Sequence, residues 1–186
     1  RLRILTNRKR LRIVGTLHGD NGRPQYVYSN RLKPAIKDLR HEVLVTDFLL
    51  TIEDRCSTIR HPKQLNKRLR PDFELILDGP RIVYGELDTG TESLTEVIET
   101  QQRRYTYMRN LLPEIAASGK PAYRNVVELE NVFLLYVTLS ETRLENIIER
   151  SARVAGIALF TTLDEACSNN NHLVCRTFDG HRVRLL

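Results

Sequence analysis

The stretch RPDFELILDGPRIVYGELDTGTES, residues 70–93, sets two apolar runs around a turn and gathers carboxylates at one end of both. Residues 71–78 and 81–87 are rich in Ile, Leu, Val, Phe and Tyr, a composition that fits a pleated, half-buried surface. Asp78-Gly79-Pro80 supplies turn chemistry between them, so an antiparallel hairpin is expected. Side chains two apart on a strand share a face. Glu86 and Asp88 therefore point together, and Asp72 on the neighbouring strand can reach them. Thr89-Gly90 ends the second strand, and Ser93 with Glu96 fits a capping box.

That capping box predicts a helix from about Leu94 to Leu112, closed by Pro113. Its buried stripe is Leu94, Val97 or Ile98, Gln101, Tyr105, Met108 and Leu112. Gln101 and Tyr105 are polar groups on that stripe and need partners if buried; the carboxylate cluster is one option. Upstream, Pro34 suits a helix entrance, and residues 35–54 run on without Gly or Pro. Their apolar residues fall around most of the helix, with Glu42, Val45 and Leu49 on one face. Downstream, residues 131–140 (NVFLLYVTLS) read as a buried strand. Residues 141–155 read as an amphipathic helix with Leu144, Ile147, Ile148, Ser151 and Val154 inward, stopped by Gly156. IALFTT is another strand, Asn169–Asn171 marks a loop, and LVCRTF and RVRLL flank a hairpin turn at Asp179-Gly180.

The chain has 186 residues, 41% hydrophobic and 28% charged, which suits a globular domain with a small additional piece. No apolar stretch approaches the roughly 18 residues of a membrane span, and no secretory leader is visible, so no membrane partner is expected. The chain begins with Arg, which reads as a fragment or processed chain. Cys56, Cys167 and Cys175 form no recognisable framework, and the odd number suggests reduced thiols and a cytoplasmic setting. Cys167, His172 and Cys175 are close in sequence but lack the tight Cys-x-x-Cys spacing of a zinc site.

The net charge of +6 is uneven: residues 1–40 hold eleven Lys/Arg against two Asp/Glu, and the remainder eighteen against twenty-one. A basic end on a mildly acidic body suggests a polyanion contact made by that end. KRLRIVGTL alternates apolar and basic residues, HGDNGRP is a turn cluster, and QYVYS returns as a second strand. Residues 9–29 are thus a basic hairpin following a basic segment. The pattern resembles the end of a winged helix-turn-helix: the recognition-helix end, then the wing. The resemblance implies double-stranded DNA as partner, with Arg1, Arg3, Arg8, Lys9, Arg10, Arg12 and Arg23 as candidate contacts. A plain hairpin with a solvated basic surface is the alternative. Residues 60–70, with five Lys/Arg and no acid, read as a second basic loop, either set against phosphates or simply solvated.

Three oxygen ligands on rigid strands can hold Mg²⁺, and a metal so held can activate water against a phosphodiester. Asp72, Glu86 and Asp88 are the candidate ligands, with Glu42 assisting from the preceding helix and Gln101 and Tyr105 orienting the cluster. The same acids can instead be structural, anchoring Arg70, Arg103 or Arg104 by bidentate bonds. Pro71-Asp72 followed by Glu86-Leu87-Asp88 resembles the PD-(D/E)XK nuclease superfamily. More narrowly, HEVLVTDFLL (41–50), RPDFELIL (70–77) and GELDTGTESL…RRYTYM (85–94 and 103–108) resemble the replication-relaxation family of plasmids and other mobile elements. The resemblance covers most of residues 1–110, and the E-x-D-x-G-T-E string is its most specific part. It implies an α/β fold with a mixed sheet flanked by helices, nuclease-like over residues 37–186. That domain would follow the C-terminal part of a winged-helix domain at residues 1–36. The sequence departs from the superfamily where Asp88 stands in place of a lysine that positions water and offsets charge. Lys63 or Arg103 are the candidate substitutes for that cation.

Three functions follow. The first is a DNA-binding accessory protein acting in plasmid replication or DNA relaxation, its nuclease-like core degenerate and without catalysis. The second is a Mg²⁺-dependent DNA endonuclease using Asp72, Glu86 and Asp88. The third is a transcription regulator whose core pairs with a second copy of the chain.

Overall fold

The hairpin expected over residues 71–87 forms, and its two strands are second and third in a seven-stranded sheet. The computed structural model describes residues 12–18, 24–29, 39–56, 58–60, 71–77, 81–100, 117, 132–151, 158–168 and 172–185. The chain divides into two compact units, Arg1–Thr46 and Asp47–Leu186.

In the first unit, β1 (Arg12–His18) pairs antiparallel with β2 (Pro24–Ser29), and the register slips between Ile13 and Gly15. A glycine inside a strand commonly marks such a bulge. The basic hairpin expected over residues 9–29 is therefore present as an antiparallel pair. Arg1, Arg3, Arg8, Lys9, Arg10 and Arg23 lie outside the described residues. The long helix expected over 35–54 is α1 (Leu39–Ile52), and the division between units falls within it. A short 3-10 turn, Glu53–Arg55, follows.

The second unit is α/β. Among the described residues its sheet has seven strands in chain order: β3 (Thr58–Arg60), β4 (Phe73–Leu77), β5 (Arg81–Asp88), β6 (Val132–Thr138), β7 (Ala158–Thr162), β8 (Val174–Arg176) and β9 (Arg182–Arg184). β5, β6 and β7 are parallel, and every other neighbouring pair is antiparallel. Parallel neighbours need crossovers. Helix α2 starts at residue 94 between β5 and β6, and α3 (Glu141–Ser151) connects β6 to β7. α4 (Leu163–Ser168) follows β7 directly. The expected mixed sheet with helices is therefore the fold of this unit.

Burial explains the apolar runs. β4 and β7 are buried at every position, and β6 nearly so, as strands covered on both faces are. One face carries Ile82, Tyr84, Leu134, Tyr136 and Phe160, packed with Val97 of α2 and with Leu144 and Ile147 of α3. Ser151 is buried as the helical spacing predicts, and the partly buried Ile148 packs against the same cluster. On the other face, the Phe73 ring lies 5.0 Å from the Phe48 ring of α1. Phe73 stands opposite Gly85, and a Cβ at Gly85 would lie 1.8 Å from the ring.

Two elements differ from the sequence reading. β3 and α4 were not expected, because three and six residues are too short to show a period. For α4 a signal did exist: Thr162-x-x-Glu165 is a cap, with the Glu165 N–H donating to Thr162 Oγ1 at 3.1 Å. Glu42, a polar exception on the helix, is exposed in the first turn of α1. A carboxylate there keeps its hydration and complements the helix dipole.

The Ser93–Glu96 capping box forms as expected. The Ser93 N–H and hydroxyl both donate to Glu96 Oε2 at 3.0 Å, and the Glu96 N–H donates to Ser93 Oγ at 3.2 Å. The hydrogen bond from the Ser93 backbone, then that from its hydroxyl, hold the Glu96 carboxyl below its ordinary range. Because the folded-state value is depressed, the contribution is present above the unfolded-state pKa and is lost as pH falls through the folded-state value. Glu96→Gln is therefore expected to be less stable than the parent at neutral pH and to converge with it in acid, as read by denaturant unfolding across pH. Gly85→Ala is expected to cost about 2 kcal/mol or more through overpacking. Combining it with Phe73→Leu should cost less than the sum of the two single variants in the same measurement.

Candidate acidic site at the strand ends

Asp72, Glu86 and Asp88 lie where β4 begins and β5 ends, because the antiparallel register sets Phe73 against Gly85. Each has a distinct local setting. The Asp72 N–H donates to the Gly85 carbonyl at 2.9 Å, and Asp72 Oδ2 accepts the Leu87 N–H at 2.8 Å. The side chain thus continues the ladder one step past the strand, satisfying a backbone donor that would otherwise lose its partner. Pro71, which has no N–H to place, is buried just before it. Glu86 is half-buried on β5, opposite Tyr136 of β6 and on the same strand face as Asp88.

Asp88 is the most engaged of the three. Arg143, in the first turn of α3, grips it in a fork: Nε donates to Oδ2, and Nη2 donates to Oδ1 at 3.1 Å. The Gly90 N–H also donates to Asp88 Oδ1, at 2.9 Å, closing an Asx-type turn. Gly90 sits at φ 81°, a left-handed conformation that favours glycine. Arg143 Nη2 makes a further bond to the Glu92 carbonyl at 2.7 Å. The D-x-G part of the sequence string is therefore a turn, and the arginine holds its first residue and the Glu92 carbonyl two residues beyond its last. The Asp88 side chain is 7% exposed and that of Arg143 19%. The hydrogen bond to Asp88 pushes the guanidinium pKa up from its ordinary value, against a smaller opposing effect of burial.

The option in which the acids anchor arginines thus describes Asp88, but the partner is Arg143. Arg70, Arg103, Arg104 and Lys63, named from sequence, lie outside the described residues, as do Gln101 and Tyr105. A signal for Arg143 was present. Ser140 caps α3, with the Arg143 N–H donating to Ser140 Oγ at 3.3 Å, which places a cation in a helix's first turn. The helix dipole disfavours cations there, so a specific anionic partner is implied. Glu42 belongs to the first unit and is exposed, and Arg12 opens β1.

As placed, these residues do not fit a Mg²⁺ cage. Asp88 Oδ1 already accepts two hydrogen bonds, Oδ2 faces a guanidinium, and Asp72 Oδ2 serves a backbone N–H. Among the described residues, no group of three or more His, Cys, Asp or Glu side chains is arranged to hold a metal ion.

A second charged cluster ties the C-terminal hairpin to the helices. Arg176 of β8 donates to both Glu141 of α3 and Glu165 of α4, the latter at 3.1 Å, and Arg182 of β9 lies 3.3 Å from Glu165. Beside it, burial pushes the Cys175 thiol up to about 12, with Glu165 adding to the effect. That thiol is therefore protonated and a poor nucleophile at neutral pH.

No family model matches the chain, and no curated protein or solved structure matches it. Among the described residues, no helix is long and apolar enough to cross a membrane.

The fork predicts strong coupling between two residues 55 positions apart. In a double-mutant cycle of Asp88→Asn and Arg143→Gln, read by denaturant unfolding, the coupling energy should be about 1–3 kcal/mol. Additive effects would mean that the pair contributes nothing as a pair.

Proposed function

We propose that this chain is a DNA-binding accessory protein of a plasmid or other mobile element, acting in replication or DNA relaxation. Its second unit is a nuclease-like core that serves as scaffold. The observation that carries the reading is the basic end of the chain: eleven Lys/Arg against two Asp/Glu in residues 1–40, around an antiparallel hairpin. A hairpin with basic flanks can lie along phosphates while a neighbouring helix reads bases. The α/β sheet, with its acids at one end of β4 and β5, fits the nuclease-like pattern. The Asp88–Arg143 fork favours a structural over a catalytic use of those acids.

A Mg²⁺-dependent endonuclease is the second reading. It is favoured by the register that brings Asp72 beside Glu86 and Leu87. The two readings differ in their dependence on metal. The accessory role requires duplex-DNA binding that is steeply salt-dependent and indifferent to chelators. A regulator that pairs through its core would instead show one preferred palindromic site.

Reversing the charges of Arg8, Lys9 and Arg10 together should weaken binding by about tenfold or more at moderate salt and flatten the plot of log affinity against log salt. Fluorescence anisotropy on a labelled duplex measures both. An unchanged affinity and slope would remove the basic end from the interface.

A further inference from the structure

The last two strands are bonded to each other more completely than to the sheet they complete. We infer that the β8–β9 hairpin is a detachable strap, which opens from β7 as one piece while the rest of the second unit stays folded, and that the ion pairs of Arg176 set how often it opens. When it opens, β7, a strand buried at every position, becomes the edge of the sheet. The inference concerns the second unit alone and stands whether or not the first unit binds DNA.

The argument begins with the backbone. β8 and β9 share three ladder pairs, Val174 with Arg184, Cys175 with Val183 and Arg176 with Arg182. The pairing runs on past both ends. The Leu185 N–H donates to the Leu173 carbonyl at 2.9 Å, and the Thr177 N–H to the His181 carbonyl at 2.9 Å. The Gly180 N–H closes the turn on the Thr177 carbonyl at 3.0 Å, with Gly180 itself at φ 82°. Toward the sheet, β8 meets β7 at one ladder pair, Phe160 with Arg176. The Thr161 hydroxyl adds a bond to the Val174 carbonyl at 3.1 Å. Among the described residues, β9 pairs with β8 alone. A segment bonded mainly to itself opens as a cooperative unit, ahead of global unfolding.

Side chains supply the rest of the attachment. Leu173, Cys175 and Leu185 are buried, and a charge clamp joins the same hairpin to two helices. Arg176 Nη2 donates to Glu141 of α3 at 3.0 Å and to Glu165 of α4 at 3.1 Å, and Arg182 lies 3.3 Å from Glu165. Glu165 is therefore shared by both strands of the hairpin. The Arg176 and Glu165 side chains are 16% and 14% exposed, so water and salt screen their attraction only in part. Arg182 is 69% exposed and contributes little. The clamp is also incomplete. Arg176 Nε is buried and meets no acceptor among the described residues, and an unmade bond of this kind offsets part of what the ion pairs contribute. Opening the hairpin returns that N–H to water. The clamp thus holds the strap closed at less cost to its opening than a fully satisfied network would impose.

Cys175 reports the opening. It is fully buried, and burial holds its thiol protonated, so the closed hairpin does not react. The test is thiol labelling of Cys175 with dithionitrobenzoate in the full chain carrying Cys56→Ser and Cys167→Ser, beside global unfolding of the same protein followed by circular dichroism. Without denaturant, labelling should run about tenfold or more faster than the globally unfolded population allows. It should also respond weakly to low denaturant, because opening exposes little surface. Arg176→Gln should accelerate labelling by about tenfold or more, and Arg182→Gln by less than about threefold. Two results would overturn the inference: labelling at the rate and with the denaturant dependence of global unfolding, or a folded Arg176→Gln that labels no faster than its parent. Should Arg176→Gln not fold, Glu141→Gln removes one arm of the clamp and should accelerate labelling by about threefold or more; an unchanged rate there would overturn the inference equally.

Discussion

The contact between Asp88 and Arg143 holds together the acidic end of this sheet. It joins the last residue of β5 to the first turn of α3 and, through the Glu92 carbonyl, fixes the turn that leads into α2. Three elements of the α/β unit, β5, α2 and α3, therefore depend on one guanidinium. Removing either partner leaves a largely buried charge without its mate, which costs more than the pair itself contributes. The charge of Asp88 is thus balanced from α3, by a residue 55 positions further along the chain.

Much of this architecture was legible in the sequence because the relevant signals are local. Two apolar runs around Asp78-Gly79-Pro80 specified β4 and β5, and Ser93-x-x-Glu96 specified the start of α2. The spacing of Leu144, Ile147 and Ser151 specified the face that α3 buries. Each signal is complete within one element, so pattern and propensity were enough. What escaped was short or distant. β3 gains its identity only by pairing with β4, and α4 is a single capped helical segment between β7 and β8. The partner of Asp88 lies 55 residues on, and only the fold brings it back. Glu42 illustrates the converse. It shares the helical spacing of Val45 and Leu49, and spacing alone does not say that it is exposed at the helix start, where a carboxylate keeps its hydration.

The candidate site was half legible for the same reason. Strand alternation brought Glu86 and Asp88 to one face, and the hairpin brought Asp72 to the same end. Alternation gives the direction of a side chain, but it does not reveal what the side chain meets. Asp72 meets a backbone donor that the ladder leaves over, and Asp88 meets a guanidinium and a turn. Both carboxylates do structural jobs that any sheet edge and any strand-to-helix turn require. A cluster of acids at strand ends can therefore keep the outline of a metal site while its oxygens are given to the fold. The cation-rich first forty residues supply the opposite charge, and with it the partner proposed for the protein.

The most direct measurement is nicking of supercoiled plasmid with Mg²⁺ or Mn²⁺, run beside gel-shift binding, for the wild type, Asp72→Ala and Glu86→Ala. The account predicts no metal-dependent nicking by the wild type, together with DNA binding that both variants retain when folded. Nicking that requires metal and is lost in both variants would contradict it, and would place catalysis at the strand ends despite the arginine on Asp88.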